Sequence, residues 1–263
     1  NDFGLQGARP SHPELLDWLA VEFRKNGWSV KSILRTMVTS ATYRQSSYDR
    51  PDLADRDPEN RLLARQRRLR MDAEIIRDAM LASSGALDAS IGGPGVFPPI
   101  PSGVMSLGQV ERDWIVSEGG NRYRRGMYTY AWRATPYPAL TVFDAPDGVI
   151  ACTRRNRSNT PLQALTLLND EAFTEQARWL ARRILREAPH SDVGRVRHVY
   201  RLCLSRDPSV RETGIVLKLL AQQRESLAAL PDDGRLILAD ERAADLSAVE
   251  LAAWTMVARA MFN

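Results

Sequence analysis

At 263 residues the chain is long enough for one large domain or two modest ones. A protein of that size buries roughly three quarters of its unfolded surface, so no disulfide framework is needed to hold it. Its 44% hydrophobic and 26% charged residues are ordinary for a globular protein, and the net charge is only +4. No apolar run approaches the ~20 residues of a membrane-spanning helix, so neither a disordered nor a transmembrane chain is expected.

In chain order, SHPELLDWLAVEF from Ser11 offers Ser11 as helix cap, an early Pro13 and Glu14 three residues on, before an apolar stripe at Leu15, Leu19 and Phe23. After the Asn26-Gly27 break, Ser29 caps a second helix in which Val30, Ile33, Leu34, Met37, Val38 and Ala41 keep the 3.6-residue period. Two helices with so short a connection predict an antiparallel hairpin. Residues 46–60 are polar and read as a linker; Asp57-Pro58-Glu59 then predicts a helix studded with Arg61, Arg65, Arg67, Arg68 and Arg70. Its pattern continues through Met71, Ile75, Ile76, Ala79 and Met80 to a stop at Gly85. IGGPGVFPPIPSG, residues 91–103, is too rich in Gly and Pro for a helix or a central strand.

Tyr128, Tyr130 and Trp132 alternate with Met127, Thr129 and Ala131, which predicts a strand. Aromatic residues in such a row are usually core, although they could also stack on sugar rings or bases. Thr160-Pro161-Leu162-Gln163 is a capping box with Pro in the first helical position, and Asn169-Asp170 breaks that helix before Phe173, Ala177, Leu180 and Ile184 resume an apolar stripe. Further helices follow around Val193, Val196, Tyr200 and Cys203, and then from Asp207-Pro208 through Val216, Leu219 and Leu220. Residues 230–244 read as a polar connection, and a last helix sets Leu246, Val249, Ala253, Trp254, Val257, Ala260 and Met261 on its buried side. The fold class expected is therefore mainly α: an irregular multi-helix domain with a small β element near residues 123–132. It would form a single module over residues 1–263, or two helical lobes, 1–90 and 153–263, joined by an irregular Gly/Pro-rich and β segment at 91–152.

Charge concentrates in one place. Arg122, Arg124, Arg125, Arg133, Arg154, Arg155 and Arg157 face only Asp144 and Asp147, a local excess of +5, while Lys25, Lys31 and Lys218 are the only lysines in the chain. Such a field suits an anionic partner, although arginines also fix folds by pairing with internal carboxylates. The densest part is FDAPDGVIACTRRNRSNTPLQALTLLND, Phe143 to Asp170. Backbone N–H groups at the start of its helix lack intrahelical acceptors and the helix dipole favours negative charge. Arg154, Arg155, Arg157, Asn159, Thr160 and Gln163 are accordingly the candidate anion-binding residues. The competing reading pairs these arginines with Asp144, Asp147 or other carboxylates of the same fold. Asp144 and Asp147 are weak candidates for acid/base catalysis or metal binding, since turn chemistry explains D-A-P-D-G by itself.

The two cysteines, Cys152 and Cys203, form a disulfide or remain separate buried thiols, and Cys152 as a nucleophile lacks an identifiable base. There is no C-x-x-C, so neither a zinc ribbon nor a covalent c-type haem belongs to this chain, and His12, His190 and His198 form no metal motif. Nucleic-acid binding would require a broader basic stripe or a known motif. The chain starts at Asn1 without a signal-like segment, which reads as an excised or processed piece.

FDAPDG and C-x-R-R-x-x-S-N-T-P-L-Q-A-L-x-L-L-N-D, together with SHPELLDWLA, LRMDAEIIRDAMLASSG and RRGMYTY, resemble the planctomycete-type domain of unknown function found in large exported bacterial proteins. The resemblance implies a carboxy-terminal module that follows a second uncharacterised domain, and often a cytochrome-c-like module carrying haem c elsewhere in the parent protein. It further implies a periplasmic or cell-surface location and a link to electron transfer or polysaccharide use; together with the cationic segment, this makes the parent's other domains or an anionic polysaccharide the expected partners. It supplies no catalytic residues. The family pattern also continues beyond Met261-Phe262-Asn263, which implies a missing packing partner for the last helix.

Overall fold

A computed structural model of the chain describes residues 4–107, 113–229, 231–238 and 246–263. The protein is mainly helical, and it divides into two compact units, Asn1–Arg70 and Met71–Asn263.

In the first unit, α1 (Pro13–Lys25) and α2 (Val30–Thr39) form the expected hairpin. Gly27 and Trp28 make the reversal with φ of 64° and 60°, and the Trp28 ring meets Phe23 edge-on at 5.4 Å. Ser29 caps α2 by accepting the Ser32 N–H at 3.2 Å. The entry to α1 differs from expectation. His12 holds the cap position without a side-chain cap bond, because the Ser11 hydroxyl is hydrogen-bonded to His12 Nδ1 at 3.0 Å.

The helix expected from Asp57 does not form. The buried Asp57 carboxylate accepts the N–H groups of Arg61 at 2.7 Å and Leu62 at 2.8 Å, and the side-chain amide oxygen of Asn60 accepts those of Ala64 and Arg65 at 3.1 and 3.3 Å. Asn60 and Leu63 adopt φ of 54° and 53°. Short polar side chains have taken the donors that a helix would use for its own ladder, which is how Asp and Asn break helices.

The second unit contains α3 (Ala73–Ser84), α4 (Pro138–Val142), α5 (Pro161–Asn169), α6 (Glu171–Glu187), α7 (Asp192–Leu204), α8 (Val210–Ala229), α9 (Pro231–Leu238) and α10 (Ala248–Phe262). Gly85, with φ of 77°, ends α3 as its position predicted. Asp170 closes α5 and caps α6, accepting the Ala172 N–H at 2.9 Å. Two apolar cores follow from these helices. The larger joins α6 to α10 around Ala177, Leu180, Ile184, Val196, Leu220 and Trp254. The smaller gathers Ile76 and Met80 of α3 with Tyr137, Phe143, Leu167 and Phe173.

The amphipathic stripe expected of α10 understates its burial. Leu251, Ala252, Ala253, Trp254, Thr255, Val257 and Ala258 are all buried, because α10 runs through the middle of the bundle and touches α5, α6, α7, α8 and α9. At its start Arg224 of α8 donates paired hydrogen bonds to Asp192 of α7, at 2.6 and 2.9 Å, and to Glu250 of α10, at 2.6 and 2.7 Å. Two boundaries also move. The stretch 230–244, expected as a polar connection, contains α9, and its remainder lies outside the described residues. At α8 the reciprocal cap is made by Ser209 and Glu212, at 3.2 and 2.8 Å, whereas Asp207 pairs with Arg201 at 2.7 Å.

No strand occurs among the described residues, so the β element expected near 123–132 is corrected to short 3-10 turns at Gly119–Tyr123 and Gly126–Tyr128 with two isolated bridges. Val96 donates to Tyr128 and accepts from Tyr130, both at 2.8 Å, and there the ladder stops. The partner segment carries Pro94, Pro98 and Pro99, which have no N–H to extend it.

Buried arginines do the work of a sheet in this region. Arg124, 3% exposed, donates to the carbonyls of Ser90, Gly92 and Pro94 and stacks its guanidinium 3.8 Å above the Tyr128 ring. Arg77 of α3, also 3% exposed, donates to the carbonyls of Arg122 and Arg124 at 2.8 and 3.3 Å. Arg122 and the Tyr123 hydroxyl donate to Glu175 of α6 at 2.8 and 2.7 Å. Gly126 is needed here, since a Cβ at that position would lie 2.8 Å from the Glu74 backbone.

Candidate functional site

The segment from Phe143 to Asp170 starts as α4 ends. Phe143 is buried in the smaller core, and the chain turns at Asp144, whose φ is 62°. Asp and Asn tolerate this left-handed conformation better than other residues with a Cβ. The Asp144 carboxylate then accepts both the N–H and the hydroxyl of Ser158, each at 2.7 Å. Asp147 is exposed and forms an Asx turn by accepting the Val149 N–H at 3.0 Å, with Gly148 at φ of 71°.

The capping box of α5 is present, with Thr160 accepting the Gln163 N–H at 3.4 Å and Gln163 accepting the Thr160 N–H at 3.4 Å. Gln163 is itself buried, and its amide nitrogen donates to the Val142 carbonyl and to the Ser158 hydroxyl, both at 3.0 Å. Asp144, Ser158 and Gln163 thus form a continuous chain of hydrogen bonds that fastens the end of α4 to the start of α5.

Each candidate arginine has a separate position. Arg155 makes a two-pronged pair with Glu74 at the start of α3, at 2.6 and 3.1 Å. Burial works to raise the Glu74 carboxyl, but the Arg155 hydrogen bonds, a backbone hydrogen bond and the Arg155 charge hold it below its ordinary value. The same pairing raises Arg155. Arg157 makes a single 3.4 Å contact with Asp72 and keeps 42% of its side chain exposed. Arg154 is exposed and has no ion pair among the described residues, and Asn159 and Thr160 are exposed beside it.

The structure therefore brings Arg155 to Glu74 of α3 and Arg157 to Asp72 at its cap, rather than to Asp144 or Asp147. These two carboxylates lie more than 80 positions upstream, too far for a sequence signal to connect them, although DAEIIRDAM marks an acidic helix start. Glu175 and Arg77 are equally hidden as the internal partners of the Arg122–Arg124 segment.

Cys152 and Cys203 are both free. Cys152 is exposed, which corrects the expectation of a buried or bridged thiol there, and burial pushes the Cys203 thiol up to about 11. His12 lies beside Ser11, and His198 lies 3.8 Å from Glu187. No cluster of His, Cys, Asp or Glu suited to a metal ion occurs among the described residues. No described helix is long and apolar enough to cross a membrane.

Beside this segment lies a cleft of about 350 Å³ between the 126–137 stretch and the end of α4. Its wall includes Glu74, Trp132, Arg133, Tyr137 and Asp147, so one of the two candidate acids borders an open concavity and the other does not.

The family model PSD1, described as a protein of unknown function (DUF1553), matches residues 1–220. No curated protein matches the chain, and no solved structure does.

Proposed function

Because the chain belongs to the PSD1 family, a family of unknown function, we propose from its geometry that it is a structural and binding module of a larger extracytoplasmic protein. In this reading residues 143–170 first act as a clasp joining α3, α4 and α5. The exposed arginines at the entrance to α5 then meet an anionic partner, an anionic polysaccharide or an acidic face on another domain of the parent. A haem c would reside in a separate module of that parent.

The observation that carries this reading is the allocation of charge. Arg155 is committed to Glu74, and Thr160 and Gln163 cap the helix, whereas Arg154 has no ion pair among the described residues and Arg157 has one long contact. Arg154 and Arg157 stand three positions apart in the sequence, both exposed and neither fully paired, and each guanidinium fork suits a carboxylate or sulfate. The test is retention on immobilised polygalacturonate and chondroitin sulfate at rising salt. Salt-sensitive retention that disappears in the Arg154→Glu/Arg157→Glu double variant is expected. Equal retention of variant and parent, or none at low salt, would sink the proposal.

A second reading, an enzyme domain in periplasmic redox or polysaccharide processing, draws on Asp147 at the cleft. It has no use for Asp144, whose carboxylate is held by Ser158. Among the described residues, Asp147 and Glu74 are the acids that border the cleft, and Glu74 is paired with Arg155. General acid/base chemistry by two independent carboxylates is thus poorly provided for.

A further inference from the structure

We propose that the cleft lined by Trp132, Arg133, Tyr137, Glu74 and Asp147 is a binding site for a neutral saccharide, separate from the cationic surface at the entrance to α5. Its volume of about 350 Å³ lies within the roughly 300–1,000 Å³ range of small-molecule sites.

The charge inventory decides the ligand class. Glu74 is neutralised by Arg155, which leaves Arg133 and Asp147 as one cation and one anion on the wall. Both are exposed, and no ion pair joins Arg133 to an acid among the described residues. An anionic ligand would gain from Arg133 but meet Asp147, while a cation would meet the reverse. A purely apolar ligand would strip water from both charged groups without replacing its hydrogen bonds, which is costly.

A ring bearing adjacent hydroxyls avoids each of these difficulties. A hydroxyl both donates and accepts, so neighbouring hydroxyls can donate to the free Asp147 oxygen and accept from the Arg133 fork. The Asp147 carboxylate is oriented for this, since its other oxygen is fixed by the Val149 N–H at 3.0 Å. The half-buried Trp132 supplies an apolar surface for the ring's C–H face, and its plane is set by the Tyr130 ring, 4.9 Å away and edge-on.

The wall is held in shape by contacts already described. Gly126 lets the 126–132 stretch press against Glu74, and Asp78 of α3 accepts the Gly126 N–H at 2.6 Å. A site preformed in this way loses little freedom on binding.

The experiment is titration calorimetry, with saturation-transfer NMR, on the full chain using cellobiose, maltose and xylobiose as probes at low and high salt. Binding of at least one disaccharide that changes little with salt is expected, weakened about tenfold by Trp132→Ala. Arg133→Ala and Asp147→Asn should weaken it as well; the first alters an exposed side chain, and the second keeps an acceptor for the Val149 N–H, so both variants keep the fold even if Trp132→Ala does not. The Arg154→Glu/Arg157→Glu variant should bind the disaccharide as the parent does, which separates this proposal from the cationic-surface reading. No binding to any probe, or binding indifferent to both Arg133→Ala and Asp147→Asn, would overturn it. Binding that is lost with salt would equally overturn it, since it would assign the ligand to charge rather than to hydroxyl recognition.

Discussion

The α6–α10 bundle and the described part of the irregular stretch from Ala86 to Thr160 belong to one compact unit but are held by different means. In the bundle the stabilising groups are mostly apolar; the buried Thr255 hydroxyl returns to the Leu251 carbonyl of its own helix, and Arg224 bridges Asp192 and Glu250 at partly exposed positions. In the irregular stretch, apolar anchors such as Val96, Tyr137 and Phe143 are joined by two buried arginines, Arg124 within it and Arg77 of α3, and what these arginines hold is backbone. Arg124 collects three carbonyls and Arg77 two, replacing with side chains the hydrogen bonds that a proline-rich segment cannot make with its own N–H groups. A buried carbonyl needs a partner, and where no ladder is available a guanidinium with five donors can serve several at once. The difference teaches that the arginine excess of this chain is only partly a surface property.

The sharpest way to test the apolar side of that comparison is Trp254→Ala. Trp254 is fully buried in α10, at the meeting point of the bundle helices, and its loss should cost about 3–5 kcal/mol. Urea denaturation followed by circular dichroism should show a large drop in midpoint. A change of less than about 1 kcal/mol would mean that the core re-closes around the site and that α10 is less central than its burial indicates.

The corresponding change in the irregular stretch is Arg124→Ala. It removes the shared donor of Ser90, Gly92 and Pro94, and a cost of about 1–3 kcal/mol is expected, with water satisfying part of what is exposed. Hydrogen exchange should locate the loss between residues 88 and 96 and leave α6–α10 protected. Arg124→Lys should recover little, because an ammonium cannot span three carbonyls as the planar fork does. Uniform deprotection across the unit would contradict the division between the two regions.

The same contrast explains what could be read in the sequence. Helices whose apolar residues recur at helical spacing were legible, as with Phe173, Ala177, Leu180 and Ile184 of α6, because the period reports a buried face directly. The Thr160-Pro161-Gln163 start was legible for the same reason, since a capping box is a local interaction. Alternation at Tyr128, Tyr130 and Trp132 misled, because a strand also needs a partner able to donate, and the partner segment contains prolines. Arg61 to Arg70 misled in the opposite direction, since Asp57 and Asn60 compete locally for the backbone. In the candidate site, the pairing of arginines with internal carboxylates followed from their density, but Glu74 and Asp72 could not be identified as the partners. Ion pairs between distant segments leave no periodic trace.

The smallest effect expected concerns the ion pair that fastens the irregular stretch to α3, Arg155 with Glu74. Both side chains are partly exposed, so Glu74→Gln should cost only about 0–1 kcal/mol near neutral pH. Its dependence on pH is more informative than its size. The folded Glu74 carboxyl lies below its ordinary value, so the unfolded state binds the proton more readily. The stability contributed by the charged pair is therefore fully present above the unfolded carboxyl pKa of about 4.3 and is lost as pH falls through the lower folded value. The difference between parent and Glu74→Gln should shrink over that window. Asp170, whose carboxyl is raised by burial, works with the opposite sign, contributing below its unfolded pKa and losing that contribution as pH rises through the folded one. Since Asp170 is common to parent and variant, it cancels in the subtraction. A difference that stays constant from neutral pH to below the carboxylate range would show that Glu74 acts through neutral hydrogen bonding and packing against Gly126, and the clasp would then not depend on charge.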